Sequence, residues 1–143
     1  MPTNTKILLK TQCVGLPKES DFEEAKEIAQ NPKEGQIRCE SLYLSLDPYL
    51  RGKISGRHIS GAILPGDTMT GEAISRVQVS SDPKFKEGDL VIAHSGWQSH
   101  PVIDVAVATK VADREIPVST YLGIMGMPGL TAYAGLLRLA EPK

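Results

Sequence analysis

Short apolar segments separated by turns with glycine and proline occupy most of the first 111 residues. The clearest is residues 36–46, in which Ile37 and Cys39 share one face while leucines occupy the other, the alternation typical of a β-strand. The strand is expected to end at Asp47-Pro48, because proline has no N–H to donate to a neighbouring strand. Many short strands with closely spaced turns favour a barrel or a sandwich. Strands are predicted over residues 7–9, 36–46, 70–79, 90–94 and 101–111.

Three segments of this part are less regular. Residues 22–30 carry apolar side chains at helical spacing among several glutamates, so periodicity favours a helix over a weak strand. Residues 15–21 predict a loop. Residues 49–66 contain four glycines and predict a mobile, solvent-facing loop or rim.

The last part of the sequence differs from the strands before it. Ser119-Thr120 can cap a short helix, and Leu130, Ala134 and Leu137 form an apolar face at helical spacing. No later segment of the printed sequence offers this face a partner. Helices are predicted near residues 119–125 and 129–139.

Charge and composition disfavour nucleic acids and membranes as binding partners. The 143 residues include 16 Lys and Arg against 17 Asp and Glu, and 5% are aromatic. Without a basic field or platforms for base stacking, nucleic-acid binding is disfavoured. The longest apolar runs are too short to cross a bilayer, so no membrane partner is expected. Two cysteines, Cys13 and Cys39, without a secretory signal predict free thiols in a cytoplasmic protein.

Neither a metal site nor a phosphate-binding loop is indicated. The two cysteines and the histidines His58, His94 and His100 form no CxxC or HExxH motif. Residues 123–129 read G-x-x-G-x-x-G, which is neither the dinucleotide fingerprint nor a P-loop. This run predicts a bend between the two helices.

Two pairs of nearby residues are candidates to line a binding pocket. Tyr49 and Arg51 place a hydroxyl and a guanidinium beside a glycine-rich rim, which suits hydrogen bonds to a small oxygenated ligand. The alternative is a capped turn in which Arg51 pairs with Asp47. Trp97 and Gln98 offer an apolar wall and a donor. Trp97 serves equally well as a plug over the end of the barrel.

Four blocks of sequence occur in a specific order. They are LYLSLDPYLRG at residues 42–52, FKEGDLV at 85–91, GWQ at 96–98 and YLGIMGMPGLTAY at 121–133. In this order the sequence resembles the zinc-independent medium-chain dehydrogenases/reductases of the prostaglandin reductase, leukotriene dehydrogenase and curcumin reductase type. The blocks span most of the chain.

The resemblance implies a mainly β fold with C-terminal helices, a GroES-like, partly open β-barrel. Residues 1–118 are then a substrate-side domain, and residues 119–143 a helical segment that leads into a nucleotide-binding Rossmann domain, which the printed residues do not include. The resemblance also implies a strand over residues 22–30, in place of the helix that periodicity favours.

The chemistry implied is NADPH-dependent reduction of the carbon–carbon double bond of α,β-unsaturated ketones and aldehydes. No zinc is expected, because residues 70–72 read TGE where zinc-dependent members have Gly-His-Glu. The resemblance assigns the substrate side to Tyr49, Arg51, Trp97 and Gln98, and the nicotinamide side to Met127 and Thr131. It assigns no catalytic residue to this chain, and by analogy with the family the protein is a homodimer.

These implications lead to two alternative functions. In the first, the chain is part of a reductase and on its own folds without oxidising NADPH. In the second, it is a free-standing GroES-like binding or interaction module. The apolar face of Leu130, Ala134 and Leu137 distinguishes them. The module must bury this face within the chain or an oligomer, whereas the reductase covers it with another domain.

Overall fold

Two antiparallel sheets form the β-rich part of the molecule. The computed structural model describes residues 1–112, 115–140 and 142. A two-stranded sheet pairs β1 (Thr3–Leu9) with β2 (Phe22–Ile28). The larger sheet contains β3 (Gln36–Leu44), β4 (Ala73–Ser80), β5 (Leu90–Ala93), β6 (Val102–Asp104) and β7 (Thr109–Lys110). Its strand order is β6-β3-β4-β5-β7.

The two sheets join into a partly open barrel. Ile7 in β1 donates its N–H to the Trp97 carbonyl at 3.0 Å, and its own carbonyl accepts the Met69 N–H at 2.8 Å. Isolated bridges also link β1 to Gln98 and Thr68. The predicted fold class, a mainly β, partly open barrel with C-terminal helices, is confirmed.

Two apolar clusters fill the barrel. The first lies on the larger sheet and contains Ile37, Cys39, Val77, Phe85, Val91, Ala93 and Ile103. The second lies beneath β1 and contains Leu9, Cys13, Ile54, Ile63 and Met69. Both cysteines are buried and free, as predicted.

Two different predictions, a helix and a strand, were available for the segment that contains β2. Periodicity favoured a helix over residues 22–30 and is wrong, whereas the strand implied by the family resemblance is confirmed. β2 is paired on one side only, and none of its residues is fully buried. Main-chain pairing with β1 therefore determines its structure, and its apolar spacing carries little information.

The predicted loop over residues 49–66 contains a short helix, α1 (Leu50–Ile54). This corrects the expectation of a mobile rim, because Leu50 and Ile54, one helical turn apart, are both buried. The remainder is irregular, and Gly56, Gly61 and Gly66 adopt positive φ, where a side chain is strained.

The C-terminal part contains helices near the predicted positions. A 3₁₀-helix spans Val118–Leu122, and α2 (Met127–Tyr133) continues as a π-helix over Ala134–Ala140. Residues 101–111, predicted as one strand, divide into β6, a 3₁₀ turn and β7. Asp104 stops the strand, because its side chain accepts the Ala106 N–H at 3.1 Å and caps the turn.

Candidate functional site

One cavity lies between α1, the edge at which β4 begins and β5 ends, and the start of α2. Its volume is about 340 Å³, within the range of small-molecule sites. We call it the Tyr49 cavity. Its lining includes polar residues, which we call the polar wall (Asp47, Tyr49, Lys53, Glu72 and His94), and apolar residues, which we call the apolar wall (Leu122, Met127 and Pro128).

Tyr49 is held at this cavity by a turn that follows β3. The Leu50 N–H donates to the Asp47 carbonyl at 3.0 Å, and the Ser45 hydroxyl donates to the Asp47 carboxylate at 2.7 Å. Burial, and then the charges of Asp47 and Glu72, raise the pKa of the Tyr49 hydroxyl. The hydroxyl is therefore protonated at neutral pH and available as a hydrogen-bond donor.

Glu72 and His94 add a pair to the polar wall that sequence reasoning did not assign to a site. His94 Nε2 lies 3.9 Å from Glu72 Oε1. Ala73 in β4 faces Ala93 in β5, so the residue before one strand and the residue after the other meet at the same edge. Strands were predicted over residues 70–79 and 90–94, but their pairing and register are not visible in one sequence.

Arg51 lies on the opposite side of α1 from Tyr49. Its guanidinium donates to the Gly15 carbonyl and not to Asp47, so the alternative of a turn closed by an Arg51–Asp47 pair is wrong. Arg51 lines a second cavity of about 460 Å³, together with Gln12, Ser55 and Arg57. We call it the Arg57 cavity.

Trp97 borders a third cavity and also fills the core, so both interpretations of this residue apply. The indole stacks on Phe22 with ring centres 6.5 Å apart and packs against the cluster beneath β1. The same side chain lines an open cavity of about 500 Å³. Gly71 permits this position, because an added Cβ would lie 2.9 Å from the indole nitrogen.

Gln98 lines the same third cavity, but its side-chain amide is engaged in the fold. Nε2 donates to the Ser95 carbonyl at 2.6 Å, and Oε1 accepts from Asn4 Nδ2 at 2.9 Å. The first bond lies within the loop after β5, and the second ties that loop to β1.

Met127 and Thr131 lie on α2, one turn apart. Met127 reaches the Tyr49 cavity, whereas Thr131 is exposed on the helix. The glycine-containing run before and within α2 forms a bend, as predicted, with the Gly126 N–H bonded to the Gly123 carbonyl at 3.0 Å. Of the six predicted site residues, the structure brings Tyr49 and Met127 into one cavity and distributes the others around it.

Among the described residues, no group of three or more His, Cys, Asp or Glu side chains is placed to hold a metal ion. None of the described helices has the length and hydrophobicity that crossing a bilayer requires.

Comparison with known proteins identifies similar sequences and structures. The family model described as the N-terminal domain of oxidoreductase matches residues 5–111. The NADP(+)-dependent 2-alkenal reductase of Nicotiana tabacum is 40% identical over 99% of this chain and 43% of its own length. The NADPH-dependent curcumin reductase of Escherichia coli (strain K12) is 37% identical over 98% of this chain and 41% of its own length.

A solved structure shows the same architecture. The crystal structure of CurA from Vibrio vulnificus superimposes with a TM-score of 0.89 and 34% identity, covering 98% of this chain and 42% of that one. The chain thus spans less than half the length of the relatives it matches.

Proposed function

Because this chain belongs to the family of N-terminal oxidoreductase domains, we propose that it is the substrate-side part of an NADPH-dependent reductase. The proposed substrates are α,β-unsaturated ketones and aldehydes, reduced at the carbon–carbon double bond. Residues 1–118 are the substrate-side domain in this proposal, and residues 119–143 lead into a nucleotide-binding domain. The names of the tobacco and Escherichia coli relatives support both the substrate class and the cofactor.

The observation that carries the proposal is the meeting of Tyr49 and Met127 in one cavity. Reduction of an enone places negative charge on the carbonyl oxygen, and a fixed donor stabilises that charge. The Tyr49 hydroxyl is such a donor, and burial, and then the charges of Asp47 and Glu72, raise its pKa and favour the protonated form. Since Tyr49 supplies this donor, the proposed reaction needs no zinc ion to polarise the carbonyl.

The apolar wall of the Tyr49 cavity fits one part of the proposed cofactor. NADPH supplies a hydride from its nicotinamide ring when it is bound. Leu122, Met127 and Pro128 form a wall that suits the flat face of such a ring. Thr131, four residues beyond Met127 in α2, extends the same side of the helix with a hydroxyl. We assign the nicotinamide end to Met127 and Thr131.

The exposed face of the C-terminal helix favours a domain over a free-standing module. Leu130 is 68% exposed and Leu137 is 50% exposed, so the chain does not bury this face against itself. In the proposal a nucleotide-binding domain covers it. We also propose that Arg51, Trp97 and Gln98 shape the substrate side of the site. These three residues lie outside the lining of the Tyr49 cavity.

The test is Tyr49→Phe in an enzyme that contains the whole of this chain. Loss of the hydroxyl is expected to lower kcat/KM for a simple enone with NADPH by about 10- to 100-fold, the scale of losing one donor to a developing oxyanion. Tyr121→Phe is the matched control, because the Tyr121 hydroxyl donates to the Ala112 carbonyl at 3.2 Å, outside the Tyr49 cavity. This control is expected to change kcat/KM by less than about twofold.

Unchanged kcat and KM in Tyr49→Phe would contradict the role of Tyr49. Absence of enone reduction in the unaltered enzyme would contradict the function itself. The 143-residue chain alone is expected not to oxidise NADPH, because in this proposal it lacks most of the cofactor site. Measurable NADPH-dependent enone reduction by that chain would show that the site is complete without another domain.

A further inference from the structure

We propose that the Arg57 cavity binds a small oxyanion group, a carboxylate or a phosphate, at a site separate from the Tyr49 cavity. The Arg57 cavity has a volume of about 460 Å³ and lies between α1 and the loop of residues 12–15. Its lining includes two arginines, Arg51 and Arg57, together with Gln12 and Ser55, whose hydroxyl donates to the Gly52 carbonyl at 3.1 Å. Arg51 is also proposed to shape the substrate side, but the proposed substrate and cofactor use no other residue of this lining.

The short helix α1 separates the two cavities. Tyr49 and Lys53, one helical turn apart, line the Tyr49 cavity. Arg51 and Ser55, also one turn apart, line the Arg57 cavity. Because side chains four residues apart share a face of a helix, the two sites lie on different faces of α1 and can be altered separately.

The charge around the Arg57 cavity favours an anion. Among the described residues that line it are two arginines and no carboxylate. The neighbouring Asp21 is already engaged, because it accepts the Lys18 N–H at 2.8 Å and lies 3.3 Å from the Thr11 hydroxyl. The lining thus carries positive charge that no carboxylate of its own neutralises.

Arg51 leaves part of its donor capacity unused. One terminal nitrogen donates to the neutral Gly15 carbonyl, whereas the other, Nη1, is buried and has no hydrogen-bond partner among the described residues. A buried charged donor without a partner is costly. The planar guanidinium group suits the paired oxygens of a carboxylate or a phosphate, so an anion in the cavity would stabilise this charge.

The remaining lining residues are compatible with an anion. Gly56 has a φ of +73°, and an added Cβ there would lie 3.0 Å from the Gln12 amide nitrogen, so glycine lets this donor lie against the backbone. Burial, and then a hydrogen bond with Asp21, raise the pKa of the Cys13 thiol. Cys13 is therefore neutral at physiological pH and adds no negative charge.

The experiment titrates the 143-residue chain with inorganic phosphate and, separately, with acetate at constant ionic strength. Backbone NMR shifts of residues 12–15 and of α1 report binding. We expect a saturable shift with one or both anions, weakened at least about tenfold in Arg57→Gln, the scale of losing a charge-assisted hydrogen bond. Saturation by phosphate alone or by acetate alone identifies the anion class and supports the site.

Lys53→Gln is the matched control, because it removes one cation from the other face of α1. It is expected to leave the dissociation constant within about twofold, since a partly exposed charge on the other side of the helix is screened. Equal weakening by Arg57→Gln and Lys53→Gln would overturn the proposal and indicate general electrostatic attraction. A shift that never saturates, or one centred on the Tyr49 cavity, would overturn it as well.

Folding of the variant is checked by its unfolding temperature. Arg57 is exposed, and its backbone N–H keeps its bond to the Gly52 carbonyl in any variant, so Arg57→Gln is expected to fold. Arg51→Lys supplies an independent variant that keeps the charge and removes the fork. It is expected to weaken binding more than Lys53→Gln, and equal affinity in these two variants would overturn the role of Arg51.

Discussion

The five-stranded sheet and the C-terminal helical segment, residues 118–140, place their apolar side chains in opposite surroundings. On the sheet, Ile37 and Val91 are fully buried, whereas on the segment Leu136 and Leu139 are 57% and 83% exposed. The two regions use similar residue types, so composition does not distinguish them. The apolar side chains of the sheet are covered by neighbouring residues of the chain, whereas those of the segment remain exposed.

Within this short chain, the sheet therefore provides most of the stability, whereas the helical segment provides an exposed apolar face. Burial of apolar surface is the main favourable contribution to folding, so most of the stability of this chain resides in the sheet. The exposed face of the segment contributes to stability only when it is covered. In the proposed function the nucleotide-binding domain covers it, and α2 then brings Met127 to the Tyr49 cavity.

The largest predicted difference between the regions is in the cost of removing an apolar side chain. Ile37→Ala is expected to lower the free energy of unfolding by about 2–5 kcal/mol, because it leaves a cavity in a closed core. Leu137→Ala is the control in the segment and is expected to change it by less than about 0.5 kcal/mol. Urea unfolding of the chain measures both. Equal costs would show that the segment face is already buried in solution.

Two glycines provide a second test inside the helical segment. At Gly129 an added methyl group would collide with the backbone carbonyl of Ile124, whereas at Gly135 it meets open space. Gly129→Ala is therefore expected to destabilise α2 locally by about 1–3 kcal/mol, the usual cost of overpacking. Hydrogen exchange of α2 amides should accelerate about tenfold or more, while exchange of Ile37 in the sheet stays unchanged.

Gly135→Ala is the matched control for that substitution. It replaces glycine by the better helix former and is expected to stabilise the helical segment locally by about 0.5–1 kcal/mol. Amide exchange in that segment should therefore slow. Faster exchange in both variants would indicate that any substitution disturbs this segment. Slower exchange in both would show that the Gly129 approach to the Ile124 carbonyl relaxes without cost.

Sequence reasoning succeeded where a buried face imposed the pattern. The alternation in β3 predicted a strand that places Ile37 and Cys39 in the core. It failed at β2, because an exposed edge strand has no apolar pattern to detect, and only the family resemblance identified it. It also missed α1, where two buried residues one turn apart are too few to give a periodic signal.

The site was less predictable than the fold, because side-chain direction depends on local geometry. Tyr49 and Arg51 are two residues apart, and sequence placed both on one pocket. Since the chain enters α1 there, they project to opposite sides and line different cavities. The Glu72–His94 pair was missed for a similar reason, because it depends on the register between β4 and β5.

The smallest predicted effect concerns an ion pair at the edge of the sheet where β5 meets β7. Lys110 Nζ lies 2.6 Å from Asp89 Oδ2, and the Lys86 N–H donates to the same carboxylate at 2.9 Å. The hydrogen bond from Lys110, and then that from Lys86, lower the pKa of Asp89 from its ordinary value of 3.8. The charged carboxylate therefore stabilises the folded state above that value, and its contribution disappears as the pH falls through the lowered pKa.

Asp89→Asn is expected to remove this contribution. At pH 7 the free energy of unfolding should fall by less than about 1 kcal/mol, since Lys110 is half exposed and surface ion pairs are weak. As the pH falls below 3.8 and then through the lowered pKa of Asp89, the variant and the unaltered chain should converge, because the folded unaltered chain then loses the charge. The control is Glu87→Gln, which removes an exposed carboxyl from the same loop. It is expected to change neither the free energy of unfolding at pH 7 nor the dependence of that energy on pH. Urea unfolding between pH 3 and pH 7 measures the difference, and a gap that widens in acid would contradict the pair's contribution to the sheet edge.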